Sequence, residues 1–240
     1  MQNIIFKDLG RIGYQAAWDY QEVLFKEIHD VKVANREKVK GAPIPTKNYL
    51  LFCEHPPVFT LGKSGNMANL LLNTQQMKER EIEFVRTNRG GDITYHGPGQ
   101  IVGYPVLDLD NFFTDIHKYM RFMEESIICT LAEYGIQGNR MDQYTGVWLE
   151  PDDPQNARKI CAMGVKCSRW ITMHGFAFNV NTDLTYFDYI VPCGIADKAV
   201  TSMQKELGKP IDVEAVKQNI KHHFARLFEA NLFGPQEMAS

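Results

Sequence analysis

The chain has 240 residues, 44% of them hydrophobic and 23% charged, the balance of an ordinary globular protein with enough length for a full core. That excludes a disordered tail, a collagen-like chain and a small disulfide-stapled scaffold. Lys and Arg number 26 against 29 Asp and Glu, a net charge of −3, so no basic excess marks a nucleic-acid partner.

No apolar stretch approaches the roughly 20 residues of a membrane helix. The first eight residues lack a basic-then-apolar leader and the last residues lack a lipidation motif, so neither export nor membrane attachment is expected. The five cysteines, at 53, 129, 161, 167 and 193, are odd in number and form no C-x-x-C pair. Scattered in that way they predict reduced thiols and a cytoplasmic protein.

In chain order, residues 4–9 read as a strand closed by Gly10. Tyr14, Ala17, Trp18, Gln21, Leu24, Phe25, Ile28 and Val31 recur at helical spacing with only Gln21 polar, predicting an amphipathic helix. Residues 36–47, with clustered charges, Gly41, Pro43 and Pro45, predict a surface loop. Strands are expected at 49–53 and Val58–Leu61, on either side of Pro56-Pro57, then at 81–87 and 101–109. A second long helix is marked by Phe112, Phe113, Ile116, Met120, Met123, Ile127, Leu131 and Tyr134, ending before Gly135. Strands at 146–149, 159–165 and 171–180 follow, with a loop at 150–158. A last helix starts after Asp212 as its N-cap. Strands and helices do not alternate strictly, which predicts an α+β domain with mixed or mainly antiparallel sheets, spanning residues 1–240 as one unit.

Familiar nucleotide motifs fail. Gly62-Lys63-Ser64 lacks the earlier glycine of a phosphate loop, since position 57 is Pro. Gly97-Pro98-Gly99 has Val102 where a dinucleotide fingerprint needs its third glycine, and a strand is expected to follow. Zinc-ligand spacings and a G-x-S-x-G elbow do not occur. What remains is Arg89-Gly90-Gly91-Asp92-Ile93-Thr94-Tyr95-His96-Gly97-Pro98-Gly99-Gln100, with four glycines beside Arg, Asp, Thr and His. Flexible surface loops need no such company, and glycines let a backbone approach a ligand closely, so the block predicts a substrate-cradling loop. Cys193, in Pro192-Cys193-Gly194, stands apart from Cys53, Cys129 and Cys161, which read as small buried hydrophobes. Cys167 and His174 stay open on sequence alone, and spacing does not pair Cys193 with Lys159.

With these blocks in hand, the chain resembles the octanoyl-acyl carrier protein:protein octanoyltransferases, the lipoate-protein ligase B family. The resemblance rests on residues 89–100, Lys159-Ile160-Cys161-Ala162-Met163-Gly164, His174-Gly175-Phe176-Ala177-Phe178-Asn179-Val180-Asn181 and Pro192-Cys193-Gly194, in family order. It implies the α+β fold of biotin and lipoate ligase catalytic domains, with a larger mixed sheet, a smaller sheet and flanking helices. It implies Cys193 as the nucleophile that becomes an acyl-thioester and Lys159 as the neighbour that lowers the thiol pKa and serves as acid and base. It implies an acyl site lined by Arg89, Gly90, Gly91, Asp92, Ile93, Thr94, Tyr95 and His96, by Ala162, Met163 and Gly164, and by Gly175, Phe176 and Ala177. The donor would be octanoyl-acyl carrier protein. The acceptors would be lipoyl domains of 2-oxoacid dehydrogenases and the glycine cleavage H protein, with no cofactor, metal, nucleic acid or membrane. The loops at 36–47 and 150–158 look enlarged relative to shorter family members.

The chemistry is coherent with these residues. A free thiol has a pKa of about 8.5, so a nearby ammonium is needed to raise its reactive fraction at neutral pH. Three rivals make different demands. An ATP-dependent lipoate ligase on the same fold needs no cysteine; a cysteine hydrolase needs a base, for which His174 or His96 is available; a carrier-binding module needs an unreactive Cys193.

Overall fold

The computed structural model of the protein describes residues 1–37, 41–191 and 199–234. Strand β1 (Gln2–Arg11) leads into helix α1 (Tyr14–Glu37), which buries Tyr14, Ala17, Gln21, Leu24 and Ile28 at alternating steps of three and four. Strands β2 (Tyr49–Glu54) and β3 (Val58–Leu61) flank the Pro56-Pro57 turn as expected, but they belong to different sheets. Helix α2 (Thr74–Glu79) is unforeseen; Asn73 and Gln76 cap it reciprocally. Strands β4 (Glu83–Arg86), β5 (Ile93–His96) and β6 (Gln100–Val106) follow.

Helix α3 (Ile116–Ala132) begins four residues later than the apolar spacing suggests, because the Asp115 carboxylate accepts the backbone N–H groups of His117 and Lys118. Phe112 and Phe113 instead pack on Phe228. Strands β7 (Asn139–Met141), β8 (Tyr144–Leu149), β9 (Arg158–Ser168) and β10 (Ile171–Asn179) form successive antiparallel neighbours. The chain ends with β11 (Ala199–Val200), α4 (Met203–Leu207), α5 (Val213–Leu227) and β12 (Ala230–Phe233), with Asp212 capping α5 as predicted.

Among the described residues, nine strands make one mixed sheet in the order β12-β1-β2-β6-β10-β9-β8-β7, with β11 beside β9. The pairs β12–β1, β1–β2 and β11–β9 are parallel and the rest antiparallel. The smaller sheet has the order β4-β3-β5. This is the α+β arrangement that the sequence predicts. One face of the large sheet buries the main core, including Phe52, Ile127, Phe178 and Phe224, under α3 and α5. The other face packs Leu51, Val102, Tyr104 and Ala177 against Ala17, Leu24 and Ile28 of α1. Burial of such side chains contributes roughly 1.5–3 kcal/mol each and fixes which face every strand residue takes. Among the described residues, no helix is long and apolar enough to cross a membrane.

Cys53 and Cys161 are buried as expected, and Cys167 is exposed. Cys129 departs from its expected burial. It is half-buried at the side of α3, where its Sγ meets the Glu125 carboxylate and the Arg226 guanidinium.

Candidate active site

The small sheet stands over the α1-side face of the large sheet and leaves a pocket between them. The space between them comes to about 820 Å³ when the part open to solvent is counted. Its floor comes from facing positions of β9 and β10, where Ala162 pairs with Ala177 and Gly164 with Gly175. Small side chains at these four positions leave the space. Val102 and Tyr104 of β6 extend the floor, and β5 with the turn before it forms the opposite wall.

Glycine at 164 also serves the wall. A Cβ there would stand 2.7 Å from the Gly90 carbonyl oxygen, so the 89–91 turn could not seat on β9. The Gly90 N–H donates to the Val165 carbonyl at 2.9 Å, and Gly91 takes φ +87°. Lys63 N–H and Ser64 N–H donate to the carbonyls of Arg89 and Gly91. The Gly62-Lys63-Ser64 triplet is therefore a backbone brace for this turn.

The block at 89–100 is not one loop. Residues Ile93 to His96 pair with β3 as strand β5, whose alternation sets Thr94 and His96 apart from Tyr95. Arg89, Gly91, Asp92, Ile93, Thr94 and His96 line the pocket. Tyr95, also expected to line the acyl site, points to the other side of the small sheet, where its ring stacks on Tyr186 at 4.6 Å, and it does not line this pocket. Gly90 is likewise turned to the protein through its N–H and its carbonyl, which accepts from Arg89. Asp92 spends its carboxylate on the Ile93 N–H at 2.7 Å, the Asn66 N–H at 3.1 Å and the Asn69 side-chain amide.

Arg89 and His96 begin a one-way chain of buried hydrogen bonds. Gln100 Nε2 donates to the Tyr95 carbonyl at 3.2 Å and to Asn179 Oδ1 at 2.9 Å, so Gln100 Oε1 faces His96 and accepts from its Nδ1 at 2.9 Å. His96 Nε2 is then an acceptor, and the Thr60 hydroxyl donates to it at 3.2 Å. Thr60 Oγ1 in turn accepts from Arg89 Nη2 at 2.9 Å. At the far end, Asn179 Nδ2 donates to the Thr201 carbonyl at 3.1 Å. With both ring nitrogens engaged, His96 offers no base for hydrolysis. Burial, together with the nearby His55 ring and the Arg89 guanidinium, holds it neutral far below the usual imidazole range.

His55 and His174 complete the polar end. His55 Nδ1 donates to the Ile12 carbonyl and its Nε2 accepts from Tyr104, both at 2.7 Å, and burial lowers its pKa to about 4. His174 Nε2 donates to Asn88 Oδ1 at 2.7 Å, while Asn88 Nδ2 donates to Glu22 at 3.3 Å. Its backbone, at φ +59°, is held by a 2.8 Å bond from its N–H to Gln21, the one polar residue on the buried face of α1. Burial, then Arg89 and Lys166, push the His174 pKa down to about 3. Among the described residues its buried Nδ1 has no hydrogen-bond partner. It is a lone-pair acceptor and too weakly basic to take a proton at neutral pH.

Lys159 also lines the pocket, with Val200 and Thr145, and its Nζ lies 4.6 Å from the centre of the Trp148 ring. Val200 is its register partner across β9 and β11. Cys193 lies outside the described residues. The described residues on either side of it are tied to the site: Val191 N–H donates to the Asn69 carbonyl at 2.8 Å, and Val200 lines the pocket. The pocket also takes in Ala162, Met163, Gly164, Gly175, Phe176 and Ala177, so all three expected blocks that fall on described residues converge. Among the described residues no group of three or more His, Cys, Asp or Glu could hold a metal.

Sequence reading missed Tyr14, Tyr104, Asn179 and Val200 as lining residues. Tyr14 and Tyr104 look like ordinary core positions. Asn179 carries a usable signal, since an amide at the buried end of the apolar run Phe176-Ala177-Phe178 has to find partners.

The fold is that of lipoate ligase catalytic domains. A bi-partite lipoate protein ligase from Thermoplasma acidophilum superposes with a TM-score of 0.67 at 16% identity, over 97% of this chain and 86% of that one. A lipoate-protein ligase A bound with ATP gives 0.64 at 16% identity, over 99% and 91%. In sequence, the model of the lipoyl protein ligase A/B catalytic domain matches residues 13–225. The octanoyltransferase of Christiangramia forsetii is 59% identical over 94% of this chain and 96% of its own length. That of Flavobacterium johnsoniae is 58% identical over 96% and 99%. The chain belongs to the lipoyl protein ligase A/B catalytic-domain family, among its octanoyltransferases, and is an acyltransferase.

Proposed function

We propose that the chain transfers an octanoyl (or lipoyl) group from acyl carrier protein to a specific lysine of a lipoyl domain through a thioester on Cys193. Lipoyl domains of 2-oxoacid dehydrogenases and the glycine cleavage H protein are the acceptors of this reading. The chain acts as one catalytic domain, in the cytoplasm, where thiols such as the free Cys53, Cys129, Cys161 and Cys167 stay reduced.

The Cys193 thiolate attacks the donor's thioester carbonyl. The bond from that carbonyl to the carrier's sulfur breaks, and the departing thiolate takes a proton from Lys159. The acceptor's amine then attacks the acyl-enzyme, the bond to the Cys193 sulfur breaks and an amide forms. The amine's proton passes to Lys159, which returns to its cationic state. Exchange of one thioester for another is nearly even in free energy, and amide formation drives the second half, so no nucleotide is consumed.

The observation that carries this reading is the meeting of Lys159, the 89–96 wall and the small-residue floor in one pocket. A lysine on the wall of a pocket floored by small apolar residues suits a reacting acyl carbonyl beside that lysine with its alkyl tail over the floor. The test is transfer from octanoyl-acyl carrier protein to an unmodified lipoyl domain without ATP. Octanoyl-lysine on the acceptor is expected; a requirement for ATP and free octanoate would replace this reading with a ligase.

A further inference from the structure

The site contains one element that is too short to hold itself in place. Strand β11 has two residues, Ala199 and Val200, against the five or six of an ordinary strand. It nevertheless sets the register opposite Lys159. Strand β9 has two edges. β8 occupies one at Arg158 and Lys159, and on the other β10 pairs no further than Phe178 with Cys161. β11 therefore takes over the edge that β10 vacates.

Asn179 is the last residue of β10 and spans this junction. Its Nδ2 holds the Thr201 carbonyl, while the Thr201 N–H donates to the Lys159 carbonyl at 2.9 Å. Thr201 is wholly buried, and its hydroxyl bonds to Glu206, whose carboxylate takes two 2.7 Å bonds from Arg158. Asn179 does not turn freely, because its Oδ1 is engaged by Gln100, which His96 fixes from the small sheet. A buried chain in which each donor has one acceptor has a single arrangement.

We infer that Asn179, fixed by Gln100, is a positioning residue that sets Lys159 through Thr201, so that the wall carrying Arg89 and His96 aligns the acid–base group of the same pocket. This rests on the proposed role of Lys159 toward Cys193. It gives Asn179 and Gln100 a task apart from touching substrate. Asn179→Asp keeps the acceptor for Gln100 and removes the donor for Thr201. Gln100→Met removes the constraint one bond earlier and is expected to act in the same direction, less strongly.

The experiment is a double-mutant cycle read by the pH dependence of Cys193 alkylation with iodoacetamide, on full-length protein, with transfer kinetics alongside. Asn179→Asp is expected to shift the alkylation curve toward that of Lys159→Ala and to lower kcat about tenfold with little change in KM, as misplacing a reacting group does. In the Lys159→Ala background the same substitution is expected to produce no further shift, because the two act through one path. An equal shift in both backgrounds, or none in the wild-type background, overturns the inference while leaving the Lys159–Cys193 pair standing. If Lys159→Ala itself leaves the curve in place, the pair falls and the inference falls with it. Should Asn179→Asp fail to fold, the same cycle with Gln100→Met decides by the same criteria.

Discussion

Lys159 and Val200 face each other in parallel register across β9 and β11, and both line the pocket. Val200 follows Cys193 by seven positions in the chain. The pairing brings a position seven residues after the cysteine beside a lysine 34 positions before it, and the proposed reaction needs that lysine to serve the cysteine.

Substitution of Lys159 tests that service. With the ammonium present, Cys193 alkylation is expected to stay fast well below the free thiol pKa of about 8.5. Lys159→Ala moves the rate–pH curve upward while the protein stays folded. Lys159→Arg keeps much of the depression and loses transfer, since a guanidinium remains protonated and cannot exchange the proton. An identical curve for wild type and Lys159→Ala contradicts the pairing.

Gly91→Val tests the wall. At φ +87° a β-branched residue is strained, and relieving that strain moves the turn that places Arg89. Transfer is expected to fall at least tenfold with a cost of about 1–3 kcal/mol in stability. Wild-type turnover in a folded Gly91→Val protein counts against a wall that must be held in place.

In the proposed reaction the facing alanines set the space for the acyl chain. Ala177→Leu projects a larger side chain from the floor and is expected to exclude several methylenes. At about 0.8 kcal/mol for each buried methylene, losing room for three or four lowers kcat/KM for octanoyl donor roughly 50- to 200-fold. A butanoyl donor is expected to be nearly unaffected. Equal losses for both donors point to a distorted sheet instead of a filled groove.

Acid lability follows from the three buried histidines. His55 and His174 have folded pKa values lowered to about 4 and about 3, and His96 is lowered as well, so all stay neutral in the folded state while the unfolded chain protonates near 6.5. The unfolded state then binds more protons, and stability present above pH 6.5 is lost as pH falls toward 4. Each such histidine contributes a slope of up to about 1.4 kcal/mol per pH unit in that window. Urea unfolding of wild type and His174→Gln between pH 7 and 4.5 checks it; the variant is expected to lose one histidine's share of the slope, and parallel curves contradict the assignment.

Much of this architecture is written in side-chain periodicity. The spacing from Tyr14 to Ile28 reads as α1, and Gln21, the polar exception, is explained by the His174 N–H it accepts. Asp212 and Gly135 mark helix ends by local chemistry. Strand β5 is hidden because Ile93 to His96 sit among glycines that read as loop, and their pairing with β3 is a tertiary fact. Strands β7, β11 and β12 go unseen as well, each being four residues or fewer, and β11 and β12 are in addition held by partners distant in sequence. In the site, residue types gave the blocks, but only the fold shows that the polar atoms of His96 and Asp92 serve the protein and that Lys159 lines the same pocket.

The covalent intermediate is the claim on which the mechanism stands, and intact-protein mass spectrometry after mixing with octanoyl-acyl carrier protein addresses it directly. One octanoyl group is predicted on the wild-type chain, removed by hydroxylamine, mapped to Cys193 and absent from Cys193→Ala, which is also predicted to lose transfer. Normal turnover by Cys193→Ala, with no adduct on the wild-type protein at any stage of the reaction, would contradict it.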